Sequence, residues 1–246
     1  MKIYTLLTIG DFHTNHCEDF LVHENIGSNK KLIAVLDGCT MGTESVFASI
    51  LTGKLLRKVT KKHYYQEFLS PSSHSLESEL KQIIKELFSE LRLAKNQLDL
   101  EVNEMLSTLI IGVIDTSKLE AELLAIGDGL IYCDGELIEY EQDDKPDYLG
   151  YHLDEDFENW YQKQIQRVSR RNFENLSICT DGVFTFKNLK KPEKQMNDQK
   201  IIDYLLEDSS YSESETMLER KVRFLKESKS HVVTDDIAII RVMIKN

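Results

Sequence analysis

The 246 residues include 42 acidic and 30 basic side chains, for a formal net charge of −12, with 41% hydrophobic and 29% charged residues. A chain of this length and apolar share buries a sizeable core as one domain, expected here over residues 1–246, and is not disordered. The acidic balance argues against gripping nucleic acid, which depends on Lys and Arg neutralising phosphates, and favours divalent cations or basic partners.

The opening MKIYTLLTIGDFH reads as a strand. Its apolar stretch is short, has no small-residue cleavage pattern, and runs at once into acidic residues and histidine, unlike a secretory leader. KKLIAVLDG (residues 30–38) is a second apolar run, ending on an aspartate and a glycine. From Thr43 the spacing changes. Val46, Phe47, Ile50, Leu51, Leu55 and Val59 recur at three and four residues, which predicts a helix with Thr43 as its cap and Glu44 in its first turn. SPSSHS (70–75) is a loop by composition, and a second helix is predicted over residues 76–98, where Leu76, Leu80, Ile83, Ile84, Leu87, Phe88 and Leu91 form the apolar stripe.

Residues 106–140 alternate short apolar runs with turn residues and read as an antiparallel meander, with Asp134-Gly135 as a two-residue hairpin turn. The acidic stretches EQDDKPD (141–147) and LDEDFE (153–158) read as solvated surface, and Trp160, in the segment 143–171 with Tyr148, Tyr151 and Tyr161, reads as core packing. NLSICTD (175–181) and DDIAIIRVMI (235–244) are two more strands, separated by helical patterns around 201–206 and 217–225. This order of elements is α+β. Cys17, Cys39, Cys133 and Cys179 are scattered without a Cys-x-x-Cys pair, and no window approaches the ~20 apolar residues of a membrane span. A cytoplasmic protein is expected, with no nucleic-acid or membrane partner and an oligomeric state left open.

Acidic residues fall repeatedly at strand ends or in tight turns: Glu18 and Asp19, Asp37, Asp128, Asp181, and Asp235 with Asp236. Any one of them is a common turn residue. Together they are hard oxygen donors of the kind that magnesium, manganese and calcium prefer.

Their order and setting resemble the metal-dependent serine/threonine protein phosphatases of the PPM family, also called type 2C. The resemblance runs nearly end to end: CEDF; LIAVLDG leading into a helix; STLIIGVID to LLAIGDG; LSICTDGVF; and TDDIAIIRV. It implies a four-layer sandwich of two stacked antiparallel β-sheets flanked by α-helices, with two divalent cations, manganese or magnesium, at one end. In that family's pattern Asp37 bridges both metals, Glu18 and the Gly38 carbonyl complete one, Asp181 and Asp235 hold the other, Asp19 organises water, and Asp128 matches a further, weaker site. The implied activity is hydrolysis of phosphoserine and phosphothreonine esters on protein substrates by water held between two cations.

Two places depart from the family pattern. Thr14 stands where members carry a phosphate-binding arginine, and no Lys or Arg occurs from Ile3 to Asn29; Cys39 stands where a general-acid histidine often follows the first Asp-Gly. His13 and His16 are the candidate substitutes. A cysteine phosphatase at Cys39 is excluded by the absence of an arginine loop after it, and a zinc site from His13, His16 and Cys17 by its cramped spacing. A regulatory pseudophosphatase and a small-metabolite phosphohydrolase remain as alternative readings.

Overall fold

A computed structural model describes residues 1–39, 42, 45–69, 75–142 and 146–244. The strands are β1 Lys2–Thr8, β2 Phe20–Asn25, β3 Lys30–Leu36, β4 Leu109–Asp115, β5 Glu120–Ile126, β6 Gly129–Cys133, β7 Glu136–Tyr140, β8 Arg167–Arg171, β9 Asn175–Cys179, β10 Phe186–Lys187, β11 Val232–Val233 and β12 Ile237–Met243. The α-helices are α1 Ser45–Leu69, α2 Leu76–Leu98, α3 Phe157–Lys163, α4 Asp198–Leu206 and α5 Met217–Lys229. One sheet has the order β2-β3-β4-β5-β8, the other β1-β12-β9-β6-β7, and β10 and β11 form a separate two-stranded ribbon.

The two sheets stack through Ile33, Val35, Ile110 and Leu123 on one side and Ile131, Ile178, Ile240 and Val242 on the other. The outer face of the first sheet is covered by helical residues such as Leu80, Ile84, Leu87, Phe88 and Trp160, and that of the second by Ile201, Leu205, Leu218 and Leu225. The result is the four-layer α+β sandwich implied by the sequence. It also explains why the central strands read as unbroken apolar runs. A strand covered on both faces has no solvent side, so β4 and β12 are buried at every position, whereas the edge strand β7 is not.

Helix α2 has the predicted bounds: the Ser75 side chain accepts from the Ser78 amide at its start, and Asp99 adopts the left-handed conformation at its end. Helix α1 runs ten residues beyond the Val59 end of its predicted stripe. The predicted Thr43 cap, Glu44, residues 70–74 of the predicted loop and residues 143–145 lie outside the described residues. The meander over 106–140 needs correction. β5 pairs with β4 and β8, while β6 pairs with β7 and β9, so the chain leaves one sheet for the other between them. The crossing is made at Gly127 (φ 85°) and Gly129 (φ 141°), and a Cβ at Gly127 would lie 2.6 Å from the Asp147 carbonyl. Asp134 and Gly135 both have positive φ, as the hairpin reading requires. Strands β2 and β8 and helix α3 carry too few apolar residues in sequence to be seen there.

A buried cationic pair fixes the end of α4. Arg241, in the middle of β12, is 0% exposed; it donates to the carbonyls of Leu205, Glu207 and Asp208 and to the Asn175 side chain at 2.8 to 3.0 Å. Lys221, on α5 and also fully buried, donates to the Asp208 carboxylate at 2.8 Å and to the Tyr204 and Asp208 carbonyls. Burial pushes the Lys221 ammonium down to about 8 even with Asp208 beside it. These cations satisfy the carbonyls that a helix C-terminus leaves unpaired. Arg241→Leu should therefore lower unfolding stability by about 3 kcal/mol or more in urea titration, since it strands several buried acceptors together with Asn175.

Candidate metal centre

Four loops bring the acidic residues to one end of the sandwich. Asp37 follows β3, Asp19 precedes β2, Asp181 follows β9 across Thr180, and Asp235 and Asp236 precede β12. Backbone pairing sets their places. Gly38 N–H donates to the Glu18 carbonyl, the Asp37 amide donates to Thr108 Oγ1, and Gly38 bridges to Ser107. Ser49 Oγ, on the first turns of α1, donates to the same Glu18 carbonyl at 2.5 Å.

Asp236 ties the set together. It is 2% exposed, and its two carboxylate oxygens accept from the Gly10 amide at 2.8 Å and the Glu18 amide at 2.5 Å. One aspartate thus joins the loop carrying Glu18 and Asp19 to the strand carrying Asp235. The segments approach closely because two glycines allow it: a Cβ at Gly10 would sit 2.3 Å from the Asp235 backbone carbon, and one at Gly182 would sit 1.8 Å from the Asp236 carbonyl oxygen. Thr180 Oγ1 donates to Asp19 at 2.6 Å and accepts from the Ala238 amide at 2.9 Å, while Thr185 Oγ1 accepts from the Asp235 amide.

The charges act on one another. Burial, with the Asp19, Asp181 and Asp235 carboxylates nearby, pushes the Asp37 carboxyl well above the usual range. Asp19, 2% exposed, is pushed up to about 8, chiefly by burial and further by Asp181 and Asp236, despite hydrogen bonds from Thr180 and Asp37. Burial also raises Asp181, and Asp235 adds to the shift. Asp128 shares a cleft of about 290 Å³ with Asp181, Glu139 and Glu141. Asp19, Asp37, Asp128, Asp181 and Asp235 therefore face one region, and Glu18 and Gly38 are bonded into it. Among the described residues, however, no three Asp, Glu, His or Cys side chains are disposed around one point as metal ligands; Asp37 hydrogen-bonds Asp19 instead. The donor set fits hard divalent cations by its chemistry: every member is an oxygen, and the raised carboxyls carry a repulsion that positive charge relieves.

His13 lies in the same place, with Nε2 3.3 Å from Asp235 Oδ1 and Nδ1 3.0 Å from Asp236 Oδ2. Burial depresses its imidazole, but the Asp236 hydrogen bond and the charges of Asp236, Asp235 and Glu18 outweigh that and raise it. His16 is exposed and makes no side-chain hydrogen bond or ion pair among the described residues. Thr14 is exposed. Cys39 is 6% exposed and packs against Leu106 and Tyr148, with its amide on the Leu106 carbonyl. Sequence reasoning missed the tying role of Asp236 and the part played by Thr180; the available signal was two adjacent aspartates before an apolar strand.

The family profile described as protein phosphatase 2C matches residues 13–225. The chain belongs to this family. Its fold is similar to the phosphatase domain of the cell-fate determinant SpoIIE from Bacillus subtilis with a fragment of its regulatory domain, at 17% identity and a TM-score of 0.59, over 98% of this chain and 63% of that one. It is also similar to the serine/threonine phosphatase Stp1 from Staphylococcus aureus, at 12% identity and a TM-score of 0.64, over 100% of this chain and 95% of that one. A bacterial serine phosphatase bearing a point mutation gives 15% identity and a TM-score of 0.65, over 100% and 99% of the two chains. No curated protein matches the sequence.

Two outcomes follow from this electrostatic arrangement. A carboxyl raised in the folded state favours folding while it is protonated, so the contribution of Asp19 to stability without metal is fully present below the ordinary carboxylate range near ~4 and is lost as pH rises toward about 8. Urea unfolding with chelator present should show a weaker protein at pH 8 than at pH 5, and Asp19→Asn should flatten the profile. In Asp236→Asn the His13 imidazole should titrate closer to its ordinary value, as read by NMR.

Proposed function

We propose that this chain is a metal-dependent phosphoprotein phosphatase that hydrolyses phosphoserine and phosphothreonine esters with two divalent cations, manganese or magnesium. The observation carrying this reading is the gathering of Asp19, Asp37, Asp181 and Asp235 from four loops at one end of the sandwich, in a member of the protein phosphatase 2C family. Asp37 would bridge the two cations, with Glu18 and the Gly38 carbonyl on one side and Asp181 and Asp235 on the other; Asp128 would serve a third, weaker site. Bound there, such cations supply the Lewis acidity that activates water and neutralises charge developing on the phosphate.

The chain's own residues provide the rest. Asp19, held by Thr180 Oγ1, is placed to orient water and take up a proton. His13 lies beside Asp235, and its raised basicity suits it to hold a proton at Nε2 and donate it to a phosphate oxygen or a departing alcohol. His16, on the same loop, is a weaker candidate for the same duty because no side chain among the described residues orients it. The four free cysteines support a reducing, cytoplasmic setting, and no described helix is long and apolar enough to cross a membrane.

A second reading rests on Cys39. Its thiol is packed between Leu106 and Tyr148 at the position expected for a general acid, which favours a pseudophosphatase that keeps the fold for binding. One assay separates the two. Hydrolysis of an aryl phosphate and of a phosphopeptide should appear on adding manganese and fall to background in Asp37→Asn. Calorimetric manganese binding without turnover would instead establish the pseudophosphatase, and preference for small esters over every phosphoprotein would point to a metabolite phosphohydrolase.

A further inference from the structure

On a chain of net charge −12, one cleft is lined by lysines. It measures about 460 Å³ and is bordered by Asn188, Lys190, Lys191, Lys194, Lys229 and His231, with no carboxylate in its lining. Between Phe186 and Asn197 the sequence carries four lysines against a single glutamate. Lys190, Lys191, Lys194 and Lys229 are exposed, and none of them makes an ion pair among the described residues. Elsewhere many surface lysines are matched to acids, as in Lys58 to Glu90, Lys62 to Glu86, Lys81 to Glu158 and Lys95 to Asp154. Unmatched cations grouped around one concavity form a local positive field, and such a field selects and steers anionic partners.

The cleft is built rather than incidental. His231 is buried at its floor, accepting the Met196 amide on Nε2 at 2.9 Å. Asn188 accepts the Lys191 amide and donates to the Lys229 carbonyl, which fixes the lysine-bearing turn against the end of α5. The β10–β11 ribbon links this turn to the acidic site, because Phe186 pairs with Val233 and, at the ribbon's other end, the Asp235 amide donates to Thr185 Oγ1. From His231 to Asp235 is four residues of extended chain, or about 13 Å at ~3.3 Å per residue. An extended peptide lying beside the ribbon covers that distance in about four residues of its own.

We propose that this cleft binds an acidic segment of the protein substrate, so that the enzyme prefers phosphoresidues with Asp, Glu or a second phosphate about four positions away. The proposal rests on the phosphatase reading for its catalytic part, but binding to the cleft is measurable without turnover. Nucleic acid is the disfavoured polyanion, because the chain as a whole carries a net charge of −12.

The test uses the full chain and the double variant Lys190→Glu/Lys194→Glu, with Lys54→Glu/Lys61→Glu as a control of equal charge on the exposed face of α1. A fluorescent peptide of alternating Glu and Ser, without phosphate, should bind the native protein by anisotropy, weaken as salt rises, and lose roughly tenfold in affinity in the first variant only. A phosphopeptide with glutamates four residues from the phosphoserine should show a KM raised by a similar factor in that variant, with aryl phosphate hydrolysis unchanged. Absence of peptide binding, equal loss in both variants, or tighter binding of a DNA oligonucleotide than of the acidic peptide would overturn the proposal. Loss of all aryl phosphate turnover in the native protein would overturn the phosphatase reading alone, leaving peptide binding to decide the cleft.

Discussion

Like-charge repulsion at one end of the sandwich is the constraint around which the rest of the fold is arranged. Carboxylates from segments far apart in sequence face one another at short range, and their protonation is pushed upward by burial and by their neighbours. Left to itself this arrangement drives the loops apart. Opposing it are the two amides held by Asp236, the Thr180 hydroxyl between Asp19 and Ala238, and two stacked sheets whose strands are anchored on both faces. Rigid strands below and short loops above allow anions to be kept together in the folded chain.

His13 shows how the same repulsion shapes the neighbourhood. A histidine between Asp235 and Asp236 is drawn toward its protonated form, which supplies local positive charge where no Lys or Arg is available from Ile3 to Asn29. Thr14, exposed, and Cys39, packed against Leu106 and Tyr148, stand at the two positions where the sequence departs from the family pattern. A lysine-lined cleft at the far end of a short ribbon adds positive charge at a distance from the acidic residues.

Much of this was legible in the amino-acid sequence, and for physical reasons. Strands covered on both faces give unbroken apolar runs, so β3, β4, β9 and β12 stand out, and Asp37 after β3, Asp181 after β9 and Asp235 before β12 mark where the packed core meets the acidic end. Helix α2 announces itself by its stripe. What stayed hidden depends on partners distant in sequence. Strands β2 and β8 are edge strands with mixed polarity, and the change of sheet at Gly127 is a matter of tertiary pairing that local alternation does not encode. The division of labour between Asp235 and Asp236 is likewise invisible, because it is decided by the amides of Gly10 and Glu18. Arg241 reads as an interruption of an apolar strand and becomes intelligible only when the end of α4 lies against it.

The pairing of β1 with β12 has a further meaning for how the molecule comes into being. Lys2 to Thr8 lie in register against Met243 to Ile237, and Asp236 holds Gly10 and Glu18. Contacts so distant along the chain are slow to form, since loop closure comes before the gain from pairing. Until residues 235–243 have emerged from the ribosome, the N-terminal strand has no neighbour and the acidic loops have no common anchor. A nascent chain that lacks residues 235–243 therefore carries its acidic residues as an open, hydrated polyanion, without the anchor that Asp236 gives to Gly10 and Glu18.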